Sequence, residues 1–211
     1  PISICSPSRA AILTGKSPAR LRITTYLPGR PDTQSQKLLH PNILQALPLS
    51  EHTLAEYLKP AGYATGYVGK WHLGPRGFGP REQGFDFYHP GTENTRPSPT
   101  EGGKGEYDLA RKAQDFVRSN KSNPFLLFVG HNNPHIPLGA KPEVVAKYSK
   151  AYNPIYAAMI QALDESVGMI LQALTECNLD QKTLVIFTSD NGGRSEEHTS
   201  ELQSRFGISY A

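Results

Sequence analysis

Apolar and polar positions along this chain change period several times, and each change marks an element. Ser6-Pro7-Ser8-Arg9 reads as a helix start, with Ser6 as N-cap and Pro7 at the first helical position. That helix runs through Ala10, Ala11, Ile12 and Leu13 and stops at Gly15. A Pro- and Gly-rich loop follows over residues 17–48, then a short helix from Thr53 to Lys59, closed by Pro60 and Gly62. Tyr63 to Val68 fits a strand, followed by the turn-rich Gly69-Lys70-Trp71-His72-Leu73-Gly74. Residues 75–106 show no period and form a long loop, of the kind that is functional or disordered. Leu109, Ala113, Phe116 and Val117 share one face of an amphipathic helix, and Phe125 to Val129 make a buried strand leading into His131-Asn132-Asn133-Pro134-His135. Asn153-Pro154 opens a second long helix, striped by Met159, Leu163, Val167, Ile170, Leu171 and Leu174. Thr183 to Thr188 is a last strand, ending at Ser189-Asp190-Asn191-Gly192-Gly193.

Strands alternating with helices predict an α/β domain with a largely parallel sheet. In such sheets ligands sit beyond the carboxyl ends of the strands. Three polar clusters fall there: Lys70/His72, His131/His135 and Asp190/Asn191. After Gly193 the pattern breaks. Residues 194–211 are polar at first, lack a period, and resemble the in-frame translation of a common sequencing-library adapter. The sequence therefore divides into a domain over 1–193 and a non-native, disordered tail over 194–211.

Composition narrows the function classes. A formal charge of +3 without a Lys/Arg patch argues against nucleic acid as a partner. The longest apolar run, Phe125 to Val129, is far too short to span a membrane. Cys5 and Cys177 allow one disulfide at most. The chain opens on Pro1 without a charged-then-apolar leader, so it is expected to begin inside a longer protein. There is no Gly-rich phosphate loop ending in Lys-Ser/Thr, no Cys-x-x-Cys and no His-Glu-x-x-His, and Gly77-Phe78-Gly79 opens no helix.

From the helix start alone, Cys5 reads as a structural or disulfide cysteine. The whole run Cys5-Ser6-Pro7-Ser8-Arg9-Ala10-Ala11-Ile12-Leu13-Thr14-Gly15, however, resembles the signature of the formylglycine-dependent sulfatases. The resemblance implies that a maturation enzyme oxidises Cys5 to formylglycine. One hydroxyl of the aldehyde hydrate then attacks the sulfur of a sulfate ester, and the other lets the sulfated intermediate collapse. A position at a helix N-terminus suits an anion, and Arg9, one turn on, can support the modified residue. Ala61 to Gly74 resembles the family's second signature, in which Lys70 would neutralise a sulfate oxygen and His72 would hydrogen-bond the nucleophile or move a proton. Asn133-Pro134-His135-Ile136-Pro137 resembles the segment supplying another sulfate-contacting histidine, here His135. His131 reads as a satisfied core histidine. Ser189-Asp190-Asn191-Gly192 resembles the family's metal motif, so Asp190, Asn191 and the modified Cys5 would ligate Ca²⁺. A carboxylate and an amide are hard donors, suited to calcium rather than zinc.

The resemblance further implies an alkaline-phosphatase-like α/β sandwich, with a mixed, mostly parallel sheet flanked by helices and incomplete in this chain. Two family features are absent: an aspartate pair on a first strand upstream of the cysteine, and a sulfate-contacting lysine beyond the Asp-Asn motif. Calcium takes about six to eight oxygens, so residues 1–211 alone are expected to bind it poorly and to turn over sulfate esters little or not at all. The missing first strand is expected to leave an unpaired sheet edge. The resemblance implies a sulfate-ester substrate, a sulfated carbohydrate among the expected classes, and a secreted or periplasmic location. The alternatives are a phosphoester or phosphonate hydrolase of the same superfamily, and a non-catalytic protein binding sulfated carbohydrate.

Overall fold

A computed structural model describes residues 2–91 and 97–192; the tail assigned to 194–211 lies outside the described residues. Its centre is a three-stranded parallel sheet in the order β2-β1-β3, from β1 (Ala64–Gly69), β2 (Phe87–His89) and β3 (Phe125–Gly130). β1 pairs with β3 from Ala64↔Phe125 to Gly69↔Gly130, and with β2 from Gly66↔Phe87 to Val68↔His89.

Strand alternation sends odd and even residues of β1 to opposite faces, and a helix covers each. On one face, helix α1 (Cys5–Thr14) buries Ala10 and Leu13 in a cluster with Leu21, Ile23, Leu47, Tyr67, Trp71 and Phe85. Tyr67 is its hub, stacked on Phe128 with centroids 4.9 Å apart and edge-on to Trp71 and Phe85. Short helices α2 (Pro18–Leu21) and α3 (Leu54–Leu58) flank α1, and α3 is closed by a Thr53/Glu56 capping box. On the opposite face, helix α4 (Glu106–Ser119) lies so close that a Cβ on Gly66 would come within 2.6 Å of the Phe116 ring. Helix α5 (Pro142–Lys147) precedes helix α6 (Pro154–Glu176), whose N-cap is Asn153, with its side chain accepting from Tyr156 N. α6 packs on α4 through Ala158, Met159, Ala162 and Ala173.

Several expectations are corrected. α1 begins at Cys5 with Ile4 as N-cap and no side-chain cap; Ser6 Oγ instead accepts from the buried Leu27 N–H at 3.0 Å, a tertiary demand that local pattern does not reveal. The loop over 75–106 contains β2, and the loop over 17–48 contains α2. Met159 and Leu174 of the expected α6 stripe are buried, but Leu171 is 42% exposed, and the small residues Ala158, Ala162, Ser166 and Ala173 fill the rest of the buried face. β3 is half-buried rather than buried. Residues 183–188 form no strand: they pair with no described strand, and Leu184, Ile186 and Phe187 are 85%, 76% and 72% exposed. An apolar run specifies a strand only where a partner offers its ladder.

Candidate active site

The site lies where β1 and β3 end beside the start of α1. Arg9, one turn into the helix, reaches across to both strand ends. Its Nη1 donates to Lys70 O at 2.5 Å and to the Tyr67 hydroxyl at 3.2 Å, and its Nε donates to Asp190 Oδ2 at 2.8 Å. Tyr67 completes the triangle by donating to the same Lys70 carbonyl at 2.6 Å. The crossing is possible because residue 130 is glycine: a Cβ there would meet Lys70 O at 2.6 Å and Arg9 Nη1 at 2.9 Å.

Cys5 lies in the first helical turn and points into this network. Lys70 Nζ donates to its sulfur at 3.3 Å, and its thiol donates to Asn191 Oδ1 at 3.4 Å. Both cysteines are free, so the one possible disulfide does not form. The structure thus brings Cys5, Arg9, Lys70, Asp190 and Asn191 together from segments up to 186 residues apart.

His72 follows β1 in a left-handed backbone conformation, φ 59°, and its Nε2 is bonded to Leu27 O at 2.7 Å. A carbonyl only accepts, so Nε2 carries the proton; among the described residues Nδ1 is buried without a partner. The ring therefore holds a lone pair ready for a hydroxyl donor. His135 sits in the loop after β3 with Nδ1 bonded to Ile136 O at 2.6 Å. His131 is held by Glu106, as a satisfied histidine should be: its Nδ1 meets Glu106 Oε2 at 2.6 Å.

Electrostatics follow from burial. Desolvation lowers the Lys70 pKa, and nearby Arg9 adds to the effect, while Cys5 pulls the other way. The His72 pKa is also lowered, first by burial and then by the charges of Lys70 and Arg9. Burial opposes the charge on Arg9, yet Tyr67, Asp190 and Cys5 outweigh it, and its pKa is raised. Burial pushes Tyr67 up to about 12.

Two contributors escape a sequence reading. Tyr67, in mid-strand, is read as core and is also a site residue. Glu106 has a fully buried carboxylate that accepts from the backbone N–H groups of Asn132 and Asn133 at 2.9 and 2.8 Å while holding His131. It thereby clamps the loop that carries His135, although at a helix start it looks like an ordinary complement to the dipole.

Oxygen donors suited to calcium are present at Asp190 and Asn191, but one Asp190 oxygen is engaged by Arg9. Among the described residues, no group of three or more His, Cys, Asp or Glu converges as a metal cage. The two residues fit one side of a calcium site, with most of the six to eight oxygens coming from elsewhere.

The family model described as Sulfatase matches residues 3–210. The chain belongs to the sulfatase family. It is 33% identical to N-acetylgalactosamine-6-sulfatase of Rattus norvegicus, in a match covering 90% of this chain and 41% of the relative. It is 30% identical to arylsulfatase A of Homo sapiens, over 91% of this chain and 43% of that protein. The crystal structure of Ps i-CgsB in complex with k-i-k-neocarrahexaose superposes with a TM-score of 0.74 at 28% identity, covering 92% of this chain and 49% of the other. The phosphonate monoester hydrolase of Agrobacterium radiobacter shares the fold at 17% identity and a TM-score of 0.60. The three-layer arrangement around a parallel sheet is therefore that of the alkaline-phosphatase-like sulfatases, and this chain spans less than half the length of the curated relatives it matches.

Proposed function

We propose that the protein hydrolyses sulfate esters of carbohydrates, with the residue at position 5 as its nucleophile after conversion of the thiol to formylglycine. The observation that supports this most directly is the placement of Cys5 between Lys70 Nζ and Asn191 Oδ1. In this structure the Cys5 sulfur stands in for a hydroxyl of the aldehyde hydrate that the mature enzyme would carry. The second hydroxyl of that hydrate is what allows sulfate to leave, a step an ordinary serine cannot make.

Lys70 supplies positive charge where a sulfate oxygen would lie, in a half-buried setting where such charge is worth more than in water. Arg9 fixes the Lys70 backbone and the Asp190 carboxylate together, so it orients two contributors at once. The free Nδ1 of His72 can accept the proton of an attacking hydroxyl. His135 is assigned to a second sulfate contact, supported by its place at the carboxyl end of β3. Calcium, held in part by Asp190, Asn191 and the modified position 5, would screen the charge of the sulfate group.

The substrate class is drawn from relatives whose names point to sulfated sugars and polysaccharides, N-acetylgalactosamine-6-sulfatase and the ulvan-active sulfatase of Formosa agariphila. A formylglycine-generating maturation enzyme is the implied partner, and an exported location, secreted or periplasmic, follows from the family resemblance. No helix among the described residues is long and apolar enough to cross a membrane. The described residues supply only part of a calcium site, so activity is to be measured on the full-length protein.

The deciding experiment compares matched aryl sulfate and aryl phosphate esters, with mass spectrometry of the peptide carrying position 5. Sulfate-selective turnover together with the aldehyde is expected. Preference for the phosphate ester would favour a phosphoester or phosphonate hydrolase. An unmodified thiol after co-expression with the maturation enzyme would favour a non-catalytic binding protein.

A further inference from the structure

Beside the Cys5 network, the chain between β1 and β2 encloses an open cleft of about 450 Å³, lined by Trp71, His72, Arg76, Arg81, Glu82 and Tyr88 among others. That volume is in the range of small-molecule sites, and the cleft opens past the end of β1, alongside β2. His72 is its link to the Cys5 network: it lines the cleft two residues after Lys70, whose Nζ donates to Cys5 Sγ.

The chemistry of the walls is cationic and aromatic. Arg76 is exposed, and among the described residues neither it nor Arg81 forms an ion pair. Arg81 is anchored by one nitrogen only, donating Nη1 to Asp86 O at 2.9 Å, which leaves most of its fork available. The acid in the lining, Glu82, is turned to its own loop, where Oε2 accepts from Gly79 N at 3.0 Å. Trp71 is pinned by its Nε1 donating to Phe78 O at 2.8 Å, and Tyr88 is half-buried, so the floor is rigid and partly apolar. Guanidinium forks match planar or tetrahedral oxyanions in pairs of hydrogen bonds, and flat aromatic surface suits the C–H face of a sugar ring.

We propose that this cleft is a subsite for the anionic sugar adjoining the scissile one in a sulfated oligosaccharide, with Arg76 and Arg81 holding its sulfate or carboxylate. This rests on the sulfate-ester reading above and adds a preference for polyanionic chains over small esters.

The test uses the full-length matured protein, as wild type, as Arg76→Gln and as the Arg76→Gln/Arg81→Gln double variant. Each is assayed with 4-nitrophenyl sulfate and with a chondroitin 6-sulfate tetrasaccharide. Expected for the double variant is a KM for the tetrasaccharide raised about tenfold, with a shallower salt dependence, and aryl sulfate kinetics within about twofold of wild type. Arg76→Gln, which removes an exposed side chain with no described partner, is expected to show an intermediate rise without loss of thermal stability. Unchanged tetrasaccharide KM, or equal losses on both substrates, overturns the proposal. Binding of the tetrasaccharide to the Cys5→Ala variant, with and without the two substitutions, is read by calorimetry. Should wild type cleave no sulfate ester, the failure lies with the sulfate-ester reading, and arginine-dependent binding in this second arm still decides the cleft: equal affinities overturn it.

Discussion

Lys70 Nζ donates to Cys5 Sγ at 3.3 Å across 65 residues of sequence, and that bond is not the only tie between their segments. The geometry is set by Arg9, on the same helix as Cys5, whose guanidinium grips the carbonyl of Lys70 itself. Cys5 and Lys70 are thus tied through one buried side chain, so changes at each should separate chemistry from stability.

Cys5→Ala should abolish sulfate-ester turnover and leave the fold intact. Alanine is a good helix former, and the half-buried thiol contributes little core packing. Activity above a tenth of wild type would be too much for an enzyme lacking its covalent nucleophile. The assay is aryl sulfate kinetics with circular dichroism as the control.

Lys70→Met should lower kcat by about 10²–10³, the cost of losing a positioned charge at a developing anion. It should also raise thermal stability at pH 7. Burial depresses the folded pKa of Lys70, so the charged form is worse off folded than unfolded, and that penalty is fully present below the folded pKa. It is relieved as pH rises through the folded toward the unfolded value, 10.5. Melting temperatures across alkaline pH should therefore converge on those of the variant.

Tyr67→Phe keeps the ring stack but removes the hydroxyl between Arg9 and Lys70 O, at a cost of about 1–3 kcal/mol. The phenol's pKa rises from 10.0 to about 12 on folding, so its neutral form stabilises the protein fully below pH 10 and ceases to do so as pH climbs towards 12. Alkaline unfolding followed in parent and variant should show a shallower decline for the variant across that interval.

Glu106→Ala should be the most destabilising of these changes, by about 3–5 kcal/mol, because it strands two backbone N–H groups and a histidine in a buried place. Glu106→Gln retains an acceptor for the backbone and should cost about 1 kcal/mol. Denaturant unfolding of both distinguishes a clamp from a bystander; equal costs would exclude it.

Much of this was legible in the sequence because the motifs are local. The α/β alternation, the strand at Ala64–Gly69, the capped helices α3 and α6, and the grouping of Cys5, Arg9, Lys70, Asp190 and Asn191 all follow from short patterns with fixed spacing. What escaped depends on partners distant in sequence. Ser6 looks like a cap until Leu27 claims its hydroxyl. β2 is three residues long and exists only because β1 offers its edge. Thr183 to Thr188 has strand composition and no ladder to join. Tyr67 and Glu106 bear on the site through bonds to residues 58 and 25 to 27 positions away, which no local window contains.

The exposed run from Leu184 to Phe187 leads to Asp190 and Asn191, and among the described residues no ladder of backbone bonds secures it. Two side-chain contacts, Arg9 to Asp190 and Cys5 to Asn191, anchor that arm to the rest of the site. Any cation needing oxygens from both arm and body binds only the population in which the arm is docked, and its apparent dissociation constant grows as the inverse of that fraction. An arm docked a tenth of the time would weaken the ion about tenfold. Whatever pairs with residues 183–188 would thus tune metal affinity from a distance, by raising the docked fraction, without contributing a single ligand.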